Sequence, residues 1–296
     1  VWESATILLD KLLFNLAEDS HCGMFGALQD RVVPAAVPSA LLSPVAGISR
    51  LMWGQGMFNH HTAGVVSLAC SDQYALPRIL QEIAHDQPEE VWHRQRHAPR
   101  GLASSQVVKV TYKTPETALS TIQCFGDDSA ASLAGWEAVL SPAATVFVTH
   151  PPNTGRDSVC RPGCWLSNTA TPRVAQWKDV AISIYDLPDH DWMGLTHAFF
   201  PTYALDEYAI TEKWAFARVG NGYVALMATQ GLQMVEDGPY PNQELRSAGT
   251  QNIWLCHLGR RVSDGEFDTF KERILGLTIT VGDLAIECET LRGDRL

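Results

Sequence analysis

The chain has 296 residues, enough for one large domain or two of ordinary size. Hydrophobic residues make up 46% and charged residues 19%, a balance typical of soluble globular proteins, and no apolar run approaches the roughly 20 residues that a membrane-spanning helix needs. With 22 Lys and Arg against 33 Asp and Glu, the net charge of −11 argues against a broad nucleic-acid-binding face.

The first hundred residues have a helical pattern. Apolar residues at three- and four-residue spacing predict an amphipathic helix over 2–18, not a signal peptide. Further helices are predicted over 49–68 and 75–86, and the polar stretch 93–105 is predicted to be a linker. Because the sequence begins with Val, we expect a chain that is trimmed, processed or excerpted. Any original targeting segment is not visible, so the compartment is not assigned and a secreted or periplasmic location stays open.

A strand pattern replaces the helical one after residue 105. Alternating or apolar runs of strand length follow one another, most densely over 172–230, where turn signals separate five strands and an Asn221-Gly222 pair predicts a tight hairpin. One helix is predicted within 264–275, and two short strands close the chain.

These patterns together predict a mainly β protein. Its predicted parts are a short α-helical region over 1–100 and a large antiparallel β-sandwich over 101–296. The seven cysteines include no CxxC pair, which favours buried free thiols over a zinc site.

Three stretches of the chain resemble the carboxy-terminal part of heparinase II/III-like proteins: RPGCWLSNTATPRVAQWKDVAISIYDLP, ELRSAGTQNIWLCHLG and DGEFDTFKERI. Members of that family are built from an (α/α) toroid followed by an antiparallel β-sandwich. The resemblance implies that residues 1–100 are the end of a toroid, and that the chain is either the end of a longer protein or a reduced relative of the family. It also implies a polysaccharide lyase that acts on an acidic polysaccharide or oligosaccharide.

Elimination from a uronate requires a base, an acid for the leaving oxygen and a group that neutralises the carboxylate. Asn59 and His60 in GMFNHHTAG resemble an Asn-His pair of the family, and Tyr112 is the phenol that could pair with them. The alternative for His60 is a packed or capping side chain, and for Tyr112 it is ordinary packing in a strand.

Sugar contacts are predicted at one tryptophan and one basic stretch. The flat apolar face of Trp53 suits a pyranose ring, and Arg94 and Arg96 belong to a basic island that would attract a polyanion. The alternative for both arginines is a solvated linker.

A divalent metal, zinc or calcium, is also implied by the resemblance, because members of the family can hold a structural metal in the sandwich. His150, His197 and Asp206 are the candidate ligands. Separate histidines with satisfied hydrogen bonds are the alternative.

Two other functions remain open at this point. One is a non-catalytic carbohydrate-binding or structural β-sandwich domain of a larger carbohydrate-active protein. The other is a glycoside hydrolase, which would need two carboxylates across the scissile bond. Asp206 and Glu207 are a candidate pair, but adjacent strand residues point to opposite faces.

Overall fold

The computed structural model describes residues 75, 77–79, 89–97, 106–125, 135–141, 144–150, 172–188, 191, 193–238 and 240–296. Within these ranges the chain is mainly β. The described strands are, in chain order, β1 (Val91–His97), β2 (Gln106–Lys113), β3 (Ala118–Phe125), β4 (Trp136–Ser141), β5 (Ala144–Thr149), β6 (Arg173–Trp177), β7 (Val180–Asp186), β8 (Leu195–Phe199), β9 (Glu207–Ile210), β10 (Trp214–Val219), β11 (Gly222–Ala228), β12 (Gln233–Met234), β13 (Glu244–Ala248), β14 (Gln251–Arg260), β15 (Ile279–Gly282) and β16 (Ala285–Cys288).

The strands form two large antiparallel sheets, here named sheet A and sheet B. Sheet A has the order β1-β2-β3-β4-β5-β8-β13-β12, and sheet B has the order β6-β7-β14-β11-β10-β9. A hairpin of β15 and β16 follows them. The helical elements described are a 3-10 turn (Thr202–Ala204), α1 (Arg261–Asp264) and α2 (Phe267–Leu275). The predicted antiparallel β-sandwich with a small helical content is confirmed.

Hydrogen bonds between the sheets show which faces pack together. The indole of Trp136 in sheet A donates to Ser183 in sheet B, and the indole of Trp254 in sheet B donates to Thr196 in sheet A. Both indoles are buried, and a buried Trp N–H needs such a partner. The side chains on these two inner faces form the core of the sandwich.

A second core covers the outer face of sheet B. Helix α2 turns Phe267, Phe270 and Ile274 towards the sheet, where they meet Tyr223 and Leu255. Their three- and four-residue spacing is the pattern of an amphipathic helix with one apolar face. The helix predicted within 264–275 is therefore confirmed.

The strands predicted over 172–230 are confirmed, with a one-residue correction at one turn. Val219 pairs with Gly222, so the two turn residues of the β10–β11 hairpin are Gly220 and Asn221. Gly220 adopts a φ of 56°. A positive φ at the first turn residue is favourable for glycine because it has no Cβ.

The predicted linker over 93–105 is wrong for its first residues. Residues 93–97 belong to β1, which pairs with β2 along its whole length. The polar sequence HRQRH is compatible with a strand because β1 is the first strand of sheet A, and edge strands commonly carry charged side chains.

The chain divides into two compact units, 1–89 and 90–296. In the first unit the described residues include 78–79, which are helical and lie in the helix predicted over 75–86. The helices predicted over 2–18 and 49–68 lie outside the described residues. No described helix is long and apolar enough to cross a membrane.

Candidate functional site

The outer face of sheet A is polar and buried. Thr196 points to the inner face because it contacts Trp254, so the alternation of side chains places its neighbour His197 on the outer face. Cross-strand neighbours extend the same face, since His197 pairs with Thr149 and with Arg246. The buried polar residues on this face are Thr111, Ser120, Glu137, Thr145, Thr149, His197 and Glu244, and the buried rings of Phe147 and Phe199 stack on each other among them.

A histidine–carboxylate–arginine group lies on this face, on the neighbouring strands β8 and β13. Nδ1 of His197 is 2.8 Å from Oε1 of Glu244, and both side chains are at most 2% exposed. Nε of Arg246 donates to Oε1 of Glu244 at 2.8 Å, and a second guanidinium nitrogen donates to Oε2 at 3.2 Å. These three residues are here named the His197 group.

The charges around Glu244 keep its carboxylate ionised. Burial alone would raise the pKa of Glu244, but the hydrogen bonds and charges of His197 and Arg246 outweigh it and lower this pKa to about 2. An ionised carboxylate can only accept hydrogen bonds, so Nδ1 of His197 carries a proton.

A second histidine–carboxylate contact is formed by His150, which follows β5. Nε2 of His150 is 2.8 Å from Oδ2 of Asp191, and both side chains are buried. Oδ1 of Asp191 accepts from the backbone N–H groups of Met193 and Gly194. Burial lowers the pKa of His150, the Asp191 carboxylate opposes this, and the charge of His197 adds to the lowering. The two histidines are therefore electrostatic neighbours with different carboxylate partners.

The three predicted metal ligands are not brought together. Asp206 precedes β9 in sheet B, where its carboxylate accepts from the backbone N–H of Gly220 and contacts Arg218. His197 instead faces Glu244 on sheet A. Among the residues that the structure describes, no group of three or more His, Cys, Asp or Glu could hold a metal ion. The described residues do not fit the implied zinc or calcium site, and no reaction step is assigned to a metal.

Tyr112 lies on the other face of sheet A from His197. Its cross-strand partner is Leu119, which is two residues from Thr121, and Thr121 donates to Gln176 in sheet B. Tyr112 therefore points to the inner face and is 5% exposed. Burial, followed by the charges of Asp179 and Glu90, raises its pKa to about 12.

The remaining predicted catalytic and sugar-binding residues are only partly described. Asn59, His60 and Trp53 lie outside the described residues. Arg94 is exposed on β1, and Arg96 belongs to the same strand.

The carboxylate pair considered for a hydrolase is engaged by one arginine. The guanidinium of Arg218 contacts both Asp206 and Glu207, at 3.4 and 3.3 Å. Both carboxylates are about half exposed. This arrangement is a surface ion-pair network at one edge of sheet B, and it does not frame a cleft between two carboxyl groups as a hydrolase requires.

The chain matches no protein-family model and no curated protein sequence. The geometry of the His197 group therefore carries the functional argument. Sequence reasoning singled out His197 but missed Glu244 and Arg246, because their meeting depends on the register of β8 with β13.

Proposed function

We propose that this chain is a polysaccharide lyase-like protein, or part of one, which acts by β-elimination on a uronate-containing polysaccharide. The observation that supports the proposal most is the His197 group, a buried imidazole oriented by an ionised carboxylate. In proton-transfer catalysis a histidine base is commonly oriented by a neighbouring carboxylate that binds one nitrogen of its imidazole. The resemblance to heparinase II/III-like proteins supports the same reaction class.

In this proposal the imidazole of His197 takes the proton from the carbon next to the uronate carboxylate. The electron pair left on that carbon forms a double bond to the neighbouring carbon, whose bond to the leaving sugar oxygen breaks. The imidazolium of His197 gives its proton to that oxygen, so the products are an unsaturated uronate and a free hydroxyl group, and the imidazole is regenerated. Glu244 acts as a positioning residue, since its negative charge stabilises the imidazolium that forms.

The experiment is an ultraviolet absorbance assay for the unsaturated product, run with the 296-residue chain on alginate, pectin and glycosaminoglycans. His197→Gln is expected to lower the rate about 100-fold or more, as removal of an acid–base group commonly does. His257→Gln is the matched control, because His257 is equally buried but lies in sheet B, and its rate should stay close to that of the unchanged chain.

The proposal fails if no substrate of the panel gives an absorbance increase. It also fails if His197→Gln is folded, as judged by circular dichroism, and retains the full rate.

A second candidate function is a non-catalytic carbohydrate-binding or structural β-sandwich domain. The complete burial of the imidazoles of His150 and His197 favours it, because buried histidine–carboxylate contacts also occur as plain core interactions. In that case His197→Gln lowers the melting temperature, no product forms with any substrate, and glycan binding by the folded variant persists.

A further inference from the structure

Two exposed tryptophans meet where sheet A and sheet B begin. Trp92 lies on β1, the first strand of sheet A, and Trp177 lies on β6, the first strand of sheet B. Their ring centroids are 5.9 Å apart and their planes meet at 61°. We name this pair the aromatic corner. The two rings are in edge-to-face contact with each other.

Both rings remain accessible although they are large and apolar. Trp92 is 38% exposed and Trp177 is 42% exposed, whereas Trp136 and Trp254 in the core are at most 1% exposed. Contiguous exposed aromatic surface with polar neighbours is typical of a binding site. The aromatic corner therefore has the surface that a ligand would need.

The rings are held in place before any ligand arrives. The indole N–H of Trp177 donates to Asp294 at 3.0 Å. Trp92 is supported from below by an edge-to-face contact with Tyr112, with centroids 6.5 Å apart. A preorganised site loses little conformational freedom on binding, so these contacts favour recognition of a rigid ring.

Two positive side chains, Arg94 and Lys178, lie at the aromatic corner beside the carboxylates of Asp294 and Glu90. Arg94 is two residues from Trp92, on the same side of β1, and is exposed. Lys178 follows Trp177 and forms an ion pair of 3.2 Å with Glu90, both about 40% exposed. Surface ion pairs contribute only about 0–1 kcal/mol, so the ammonium of Lys178 can exchange Glu90 for the carboxylate of a ligand.

We propose that the aromatic corner is a glycan-binding site for a uronate-containing oligosaccharide. One sugar ring stacks its C–H face on an indole, and its carboxylate pairs with Arg94 or Lys178. The site shares its ligand class with the proposed function but does not require elimination. Five strand spacings of about 4.8 Å separate β1 from β8, which places the corner about 24 Å from His197.

The test is direct binding of oligouronates to the 296-residue chain, measured by calorimetry, with neutral oligosaccharides of equal length for comparison. Trp177→Ala and Trp92→Ala are each expected to weaken oligouronate binding about tenfold or more, as truncation of an anchoring tryptophan does. Tyr203→Ala is the matched control, because Tyr203 is an exposed aromatic residue, 66% accessible, away from the corner.

Arg94→Gln is expected to weaken oligouronate binding several-fold and to leave binding of the neutral oligosaccharides unchanged. If both tryptophan variants are folded and bind as the unchanged chain does, the site is refuted. Equal losses in Tyr203→Ala also refute it, because the effect would then be general to exposed aromatic residues.

The aromatic corner and the lyase proposal can fail separately. Trp177→Ala is expected to lose oligouronate binding at the corner, whereas His257→Gln, which changes a residue in neither site, is expected to keep it. Loss of the tryptophan effect alone refutes the aromatic corner, and absence of product in the unchanged chain alone refutes the lyase.

Discussion

Glu244 is a buried carboxylate whose ionised form is stabilised by its two neighbours. It is 2% exposed and accepts hydrogen bonds from a histidine and an arginine. A buried carboxylate is costly unless it is paired, and here two donors compensate for its burial. The residue therefore couples the stability of sheet A to the candidate chemistry of His197.

The stability that Glu244 contributes to the fold depends on pH. The pKa of Glu244 is lowered from an ordinary 4.5 to about 2, so its ionised form is the one that the fold stabilises. This contribution is complete above pH 4.5 and is lost as the pH falls from 4.5 towards 2. A shift of this size corresponds to on the order of 3 kcal/mol.

Urea unfolding at about pH 7 and about pH 3 measures this contribution. Glu244→Gln is expected to unfold more easily than the unchanged chain at the higher pH, and the difference should shrink at the lower pH. Glu207→Gln, which changes a half-exposed carboxylate, should have little effect at either pH. A constant difference between Glu244→Gln and the unchanged chain would contradict the assignment.

Single residues of the site were only partly predictable from the sequence. His197 stands out because a histidine interrupts an apolar strand, LTHAF. Glu244 and Arg246 are two residues apart in ELRSA, a spacing common on solvated strand faces. Nothing local indicates that Glu244 is buried, because its partner lies 47 residues away in the chain and depends on strand register.

At the scale of elements, the packing of α2 on sheet B depends on one glycine. A Cβ added at Gly259 of β14 would lie 2.4 and 2.6 Å from ring atoms of Phe270. Phe270 is completely buried, so its ring has little room to move. The close approach of helix to strand therefore requires the missing side chain.

We predict that Gly259→Ala destabilises the protein by about 1–3 kcal/mol, the usual cost of overpacking. Gly282→Ala is the matched control, because Gly282 also lies in a strand and its added Cβ would meet no atom closer than 3.8 Å. Urea unfolding of both variants makes the comparison. Combining Gly259→Ala with Phe270→Leu should cost less than the sum of the two changes, and full additivity would contradict the contact.

Elements were predictable where their side chains alternate or run apolar. Strands such as β10 and β11 follow the sequence pattern because they are buried by the packing of the two sheets. The sequence predicts a linker where residues 93–97 form most of β1, because an edge strand tolerates polar residues on both sides and so lacks an alternating pattern. Its pairing with β2 is set by register, which sequence periodicity does not report.

At the scale of the whole sandwich, one buried carboxylate connects three separate segments. Asp264 ends α1, and its side chain is completely buried. It accepts from Arg273 of α2 and from Arg292 of the segment after β16, each at 2.9 Å. Arg292 also lies 3.5 Å from Asp179, between β6 and β7. The carboxylate therefore fastens the C-terminal segment to sheet B.

The last prediction tests this connection. Asp264→Asn keeps the size of the side chain but removes the charge that compensates two partly exposed arginines, and losing a hydrogen bond to a charged group costs about 1.5–3 kcal/mol. Asp268→Asn is the control, because Asp268 is 82% exposed and pairs only with Lys271 on its own helix, where such pairs contribute about 0.3–0.5 kcal/mol. Urea unfolding gives the stability of both variants.

Hydrogen exchange gives the spatial readout for the same variants. Asp264→Asn should increase the exchange rate of the backbone amides of β15 and β16 more than that of β7 and β14. The reason is that the C-terminal segment is released from the sheet before the sandwich opens. An equal increase over all four strands would mean that Asp264 supports the sandwich as a whole. Unchanged exchange together with unchanged stability would mean that the two arginines find other partners and that Asp264 does not stabilise the C-terminal segment.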